Sequence, residues 1–193
     1  MSKHVGIAAI ALSVSLAMSA NAGTIPYPNV GTIAPANSFT AMADGAVYAY
    51  FFSSNAGYKS RIGLWADGTQ IGDYGLINHS SSYGDSYLFG DVSAGSELVF
   101  ELQVLSTGGS WYSVASSNSD SLNHTYATDY TGDASIPAGT YVSFEDLPYL
   151  GDIDYNDHQF VFTNVTAKVP EPFSLALFGL GLAALGFARK RTA

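Results

Sequence analysis

Residues 97–105 alternate between two faces, with Leu98, Phe100, Leu102 and Val104 on one and Val99, Glu101 and Gln103 on the other. That period of two predicts a half-buried β-strand. Val47, Ala49 and Phe51 alternate with Tyr48, Tyr50 and Phe52, so both faces of that strand are expected to be covered. Residues 61–66 and 69–71 flank Asp67-Gly68, a dipeptide that favours the type I′ hairpin turn. Residues 141–144 and 159–165 continue the strand pattern, the latter as one strand, and 23–38 reads as an irregular lead-in or an edge strand. No long stretch of the body carries a 3.6-residue apolar stripe. The expected fold is all-β, an antiparallel β-sandwich or jelly roll of short strands joined by Gly-, Asp- and Ser-rich turns. Gly-Asp dipeptides recur without a fixed period, which makes them loop chemistry and not a solenoid repeat.

The pattern changes at both ends. Lys3 precedes an apolar run over 5–17, and Ala20-Asn21-Ala22 fits a small-residue cleavage site, so 1–22 is expected to be a signal peptide, with a first transmembrane helix as the alternative. At the other end Val169-Pro170-Glu171-Pro172 holds the chain extended, because each ring fixes φ and disfavours a helical residue before it. Sixteen uncharged residues follow, 173–188, and then Arg189-Lys190-Arg191. At ~1.5 Å of rise each the sixteen span about 24 Å, a short transmembrane helix. The basic triplet is expected to stop transfer. A plain tail anchor or a buried helix with a basic end is the other reading. The order of motif, span and basic end resembles the PEP-CTERM sorting signal of bacterial exported proteins. The resemblance implies export across the inner membrane, transient anchoring there, processing by an exosortase-type enzyme, and delivery to the cell surface or an extracellular biofilm matrix.

Between these ends, residues 23–168 form one expected domain, with fifteen Asp and Glu against Lys59, Arg61 and Lys168, a formal net of −12. Such a surface repels nucleic acid and anionic lipid and attracts cations. The chain has no cysteine, so disulfides and thiolate metal sites are excluded.

The densest acidic stretch is Glu145-Asp146 followed by Asp152-Ile153-Asp154-Tyr155-Asn156-Asp157, between two predicted strands. Five carboxylates in so short a loop repel one another unless something neutralises them. Ca²⁺ takes carboxylate and amide oxygens in flexible arrangements, so Glu145, Asp146, Asp152, Asp154, Asn156 and Asp157 are its candidate ligands. The spacing starts like an EF-hand and then fails, with Asp157 at the Gly position and Thr163 at the Glu position. A solvated acidic turn and a catalytic carboxylate pair are the alternatives. Phe144-Glu145-Asp146-Leu147 with Asp152, Asp154, Asn156 and Asp157, then Phe160 and Phe162, resembles a domain of unknown function found in bacterial secreted and surface proteins. That likeness extends upstream through Ala56-Gly57-Tyr58, Asn78-His79 and Ala94-Gly95, and implies a β-rich domain with a metal site and no assigned reaction. Tyr149-Leu150 stands where glycines are more usual in that family.

His79, His124 and His158 have no recognised ligand spacing, and Ser80–Ser82 and Ser116-Ser117 lack a nucleophile-elbow context. Trp65, Trp111, Tyr112 and Tyr126 are candidates for a sugar-stacking platform, with core packing as the alternative. The expectation is a non-catalytic, calcium-bearing surface or matrix protein. A carbohydrate-binding module for exopolysaccharide is the second reading and a polysaccharide hydrolase the third.

Overall fold

A computed structural model describes residues 25–168. The expected signal peptide (1–22), the Val169–Pro172 motif, the 173–188 span and the basic triplet at 189–191 lie outside the described residues. Among the described residues no helix is long and apolar enough to cross a membrane.

Short strands succeed one another along the chain: β1 (Ser38–Ala41), β2 (Gly45–Ser53), β3 (Ser60–Ala66), β4 (Thr69–Gly75), β5 (Ser86–Val92), β6 (Glu97–Val104), β7 (Gly109–Tyr112), β8 (Thr125–Tyr130), β9 (Gly139–Phe144), β10 (His158–Phe162) and β11 (Val165–Lys168). Every pairing is antiparallel. One sheet has the order β11-β1-β6-β3-β4, with β7 also on β6, and the other β5-β2-β10-β9-β8. The fold is the all-β antiparallel sandwich that the alternation predicts.

Inward positions of both sheets share one core, in which Phe100 stacks on Phe162 at 3.9 Å between centroids and Phe39 meets Phe100 edge-on. Burying each of these rings contributes about 1.5–3 kcal/mol. The second sheet is covered on its outer side as well. Phe52, Ile136, Tyr141 and Val161 form a separate cluster beneath Tyr83, Tyr126 and Tyr130, which is why β2 is apolar on both faces. The 25–37 lead-in is irregular. It packs Tyr27 and Ala34 against Tyr155.

Asp67 and Gly68 both take positive φ, 48° and 78°, as the I′ turn between β3 and β4 requires. The expected single strand over 159–165 is two. Asn164, at φ 60°, turns the chain from β10 in one sheet to β11 in the other, and its amide bonds both N–H and C=O of Ala43 at 2.9 and 3.0 Å. Asn tolerates this left-handed geometry, so the corner carries no Gly or Pro to announce it. β6 also departs from the half-buried expectation. Its outer-face Glu101 is only 3% exposed, because aromatic neighbours cover it.

Candidate metal centre and aromatic face

The loop joining β9 to β10 begins at Glu145, whose side chain is fully buried. Its Oε1 accepts the backbone N–H of Asp154 at 2.8 Å and of Tyr155 at 2.5 Å. Its Oε2 is buried with no hydrogen-bond partner. Asp152 and Asp154 each place a carboxylate oxygen so that these and one of Glu145 lie within 4.8 Å of one another. Among the described residues this trio is the cluster of acidic or imidazole side chains close enough to hold one ion.

The backbone makes this convergence possible. Tyr149, Leu150, Gly151, Ile153 and Tyr155 all have positive φ, from 52° to 71°. Tyr149 and Leu150, where the resembled family more often has glycine, thus adopt the geometry glycine would supply. Buried anchors hold the strained residues in place. Leu150 is fully buried, and the Tyr155 hydroxyl accepts the Ala34 N–H at 3.0 Å while donating to the Asn123 carbonyl at 2.9 Å. Strain of about 1–3 kcal/mol per residue persists only where surrounding contacts over-determine it.

The other expected ligands are turned to different tasks. The Asp146 carboxylate faces His158 Nε2 at 3.1 Å, its carbonyl accepts Trp111 Nε1–H at 2.8 Å, and its N–H donates to Asp157 Oδ2 at 3.0 Å. Asp157 also accepts the Ser54 hydroxyl at its carbonyl, 2.6 Å. Asn156 donates its side-chain amide to Asp154 and accepts Gln159 Nε2–H at its carbonyl, 2.9 Å. The structure therefore brings together Glu145, Asp152 and Asp154, and leaves Asp146, Asn156 and Asp157 in a bracing network beside them.

Electrostatics follow from this crowding. Burial pushes the Glu145 carboxyl up to about 8, against the pull of its two N–H donors and with Asp157 and Asp152 adding repulsion. Burial likewise raises Asp157, with Asp146 beside it, and raises Asp154, with Asp152 next to it. His158 is lowered by burial despite Asp146. Without a counter-ion the loop resists full ionisation. Three converging carboxylates, one of them with an unpartnered buried oxygen, match the hard, oxygen-liganded chemistry of Ca²⁺.

The three histidines do not gather. His124 stacks on Trp111 at 3.8 Å and faces the Glu145 carbonyl and Asp120 with its two nitrogens, both at 3.0 Å, while His79 is exposed near the Ala56 carbonyl. Nor do the four candidate aromatics form one platform. Trp111 points into the core, and Tyr126 lies over the second sheet against Tyr27 and Tyr141. Trp65 and Tyr112 share the outer face of the first sheet with Glu101 and Tyr74, two residues the sequence reading did not single out. The available signal was Glu101, a carboxylate in the middle of β6 between Phe100 and Leu102.

In comparison with known proteins, residues 55–164 match the family described as a domain of unknown function (DUF4114), and residues 168–191 match the PEP-CTERM protein-sorting motif. No curated protein and no solved structure matches the chain.

Proposed function

The chain belongs to the DUF4114 family and carries a PEP-CTERM sorting motif, and from that premise we propose that residues 23–168 are a non-catalytic surface or matrix domain built around a structural calcium ion. The sorting motif makes the chain an exported exosortase substrate, handled at the membrane before display at the surface. Two observations carry the calcium reading: carboxylate oxygens of Glu145, Asp152 and Asp154 lie within 4.8 Å of one another, and Glu145 Oε2 is buried without a partner.

Glu145, Asp152 and Asp154 would hold the ion, which would supply the positive charge that the loop's own side chains lack. The consequence is mechanical. The same loop pins the lead-in, through Gly31 N–H on the Ile153 carbonyl at 3.0 Å and Ala34 N–H on Tyr155. A stiffened loop therefore holds the segment leading into β1 against the sandwich. This work is retention of shape outside the cell, and it needs no turnover.

Thermal unfolding in EDTA and then in millimolar Ca²⁺ tests the reading. A native-state ligand at a hundredfold excess over its Kd adds about 2.7 kcal/mol. For a domain of this size that corresponds to roughly 5–10 °C in Tm. The shift should vanish in an Asp152→Asn, Asp154→Asn double variant and be far smaller with Mg²⁺, which keeps its waters and demands octahedral geometry. An unchanged Tm in calcium would sink the site.

A further inference from the structure

The outer face of the first sheet carries a polar network that folding alone does not require. Glu101 lies on the solvent side of β6 yet is 3% exposed. Its Oε2 accepts Trp65 Nε1–H from β3 at 2.8 Å and the Tyr74 hydroxyl from β4 at 2.7 Å, and its Oε1 accepts the Ser110 hydroxyl from β7 at 2.6 Å. Tyr74 reaches it by crossing β3 above Gly63, where an added Cβ would lie 2.6 Å from the Tyr74 ring. Arg61 stacks over that ring at 4.6 Å and donates Nε–H to Gln103 at 2.7 Å. Side chains whose polar edges converge on a carboxylate at the sheet surface must lie along the sheet and turn a ring face outward.

A buried carboxylate is costly even when fully bonded, and an apolar residue of similar volume is often as good for stability or better. Glu101 instead holds rings in set orientations, which lowers the ordering cost of binding something flat. Trp65 and Tyr112 sit on opposite sides of β6, two strand spacings (about 10 Å) apart across the sheet and offset by two residues along it, opposite Val99 and Glu101 respectively. Between them is a shallow cleft of about 230 Å³ floored by Val99 and edged by Gly68 and Ser117.

We propose that the Trp65–Tyr112 face binds an extended, neutral polysaccharide chain, with the C–H faces of its pyranose rings on the aromatic rings and its hydroxyls toward Arg61 and Gln103. Aromatic walls with a few placed polar groups are the general form of such a site. Charge selects the class. The body carries a net of −12, so uronate-bearing or sulfated chains are repelled, whereas a neutral chain is not. The face lies on the opposite sheet from the β9–β10 loop, so this site does not depend on the cation reading.

The test is affinity electrophoresis of the full-length chain in a sugar-free detergent, through gels containing hydroxyethyl cellulose, dextran or mannan, with alginate as the anionic probe. Retardation by at least one neutral polymer is expected, with none by alginate. Trp65→Ala and Tyr112→Ala should each weaken it about tenfold or more. Trp65→Phe, which keeps a ring and removes the donor to Glu101, should keep part of it. Leu88→Ala, an exposed apolar position on β5, should leave it unchanged. Retardation should survive in EDTA and in the Asp152→Asn, Asp154→Asn variant at temperatures where those remain folded, so failure of the cation reading and failure of this one are separable. No retardation by any neutral polymer overturns the proposal, as does retardation by alginate alone or full retention by folded Trp65→Ala. A concentration-dependent dimer lost in Trp65→Ala, without polymer retardation, also overturns it and assigns the face to a second copy of the chain.

Discussion

Replacing Glu145 with Gln should make the metal-free protein more stable while removing its response to calcium. In the native fold the carboxyl is pushed from 4.5 up to about 8, chiefly by burial, so the folded state holds a proton that the unfolded state gives up across that interval. A carboxyl raised in this way contributes stability that is fully present below about pH 4.5 and lost as pH rises through about 8. At 1.36 kcal/mol per pKa unit, ionisation costs the metal-free fold about 1 kcal/mol at pH 5 and about 3 kcal/mol at pH 7. Gln is neutral at every pH. Its oxygen keeps the Asp154 and Tyr155 N–H donors, and its amide puts a donor where Oε2 had no partner, in a loop rich in carboxylates. Urea unfolding in EDTA should therefore show Glu145→Gln ahead of the parent by up to about 3 kcal/mol at pH 7 and by about 1 kcal/mol at pH 5. Saturating calcium should raise the parent and leave the variant where it was, closing or reversing the gap. A variant less stable than the parent in EDTA at pH 7, or one that keeps the full calcium increment, would refute the reasoning.

Two further outcomes follow from the same geometry. Tyr155→Phe removes the acceptor for Ala34 N–H and the donor to the Asn123 carbonyl while keeping the ring; it should cost about 1–3 kcal/mol and speed proteolysis of the 25–37 lead-in, measured by limited digestion. Gly63→Ala places a methyl 2.6 Å from the Tyr74 ring; it should cost about 1–3 kcal/mol in urea unfolding and displace Tyr74 from Glu101, read as a changed tyrosine titration in ultraviolet difference spectra.

Much of the fold was legible because a strand's side chains alternate. The inward run of β6 and the two-faced pattern of β2 each predict a strand where one lies. β5 and β8 escaped, since their Ser, Asp and Thr positions mix with tyrosines and neither reads as half-buried on its own. The corner at Asn164 escaped for a related reason: Val165 continues the apolar run of β10, and nothing local says that the chain has changed sheets.

For the candidate sites the division is sharper. Composition alone placed an acidic loop between β9 and β10, and the order of motif, span and basic residues set the destination, because both are properties of neighbouring residues. Which carboxylates meet was decided by tertiary structure. Glu145, Asp152 and Asp154 converge because Leu150 and Tyr155 are buried and because Tyr155 bonds to Ala34, 121 residues away. Likewise Trp65 and Tyr112 share a face, and Trp111 does not, only because β3 and β7 flank β6 in a register that turns alternate residues outward. A list of residue types carries their chemistry. Distances between residues far apart in the chain come from packing, and ligand binding depends on those distances.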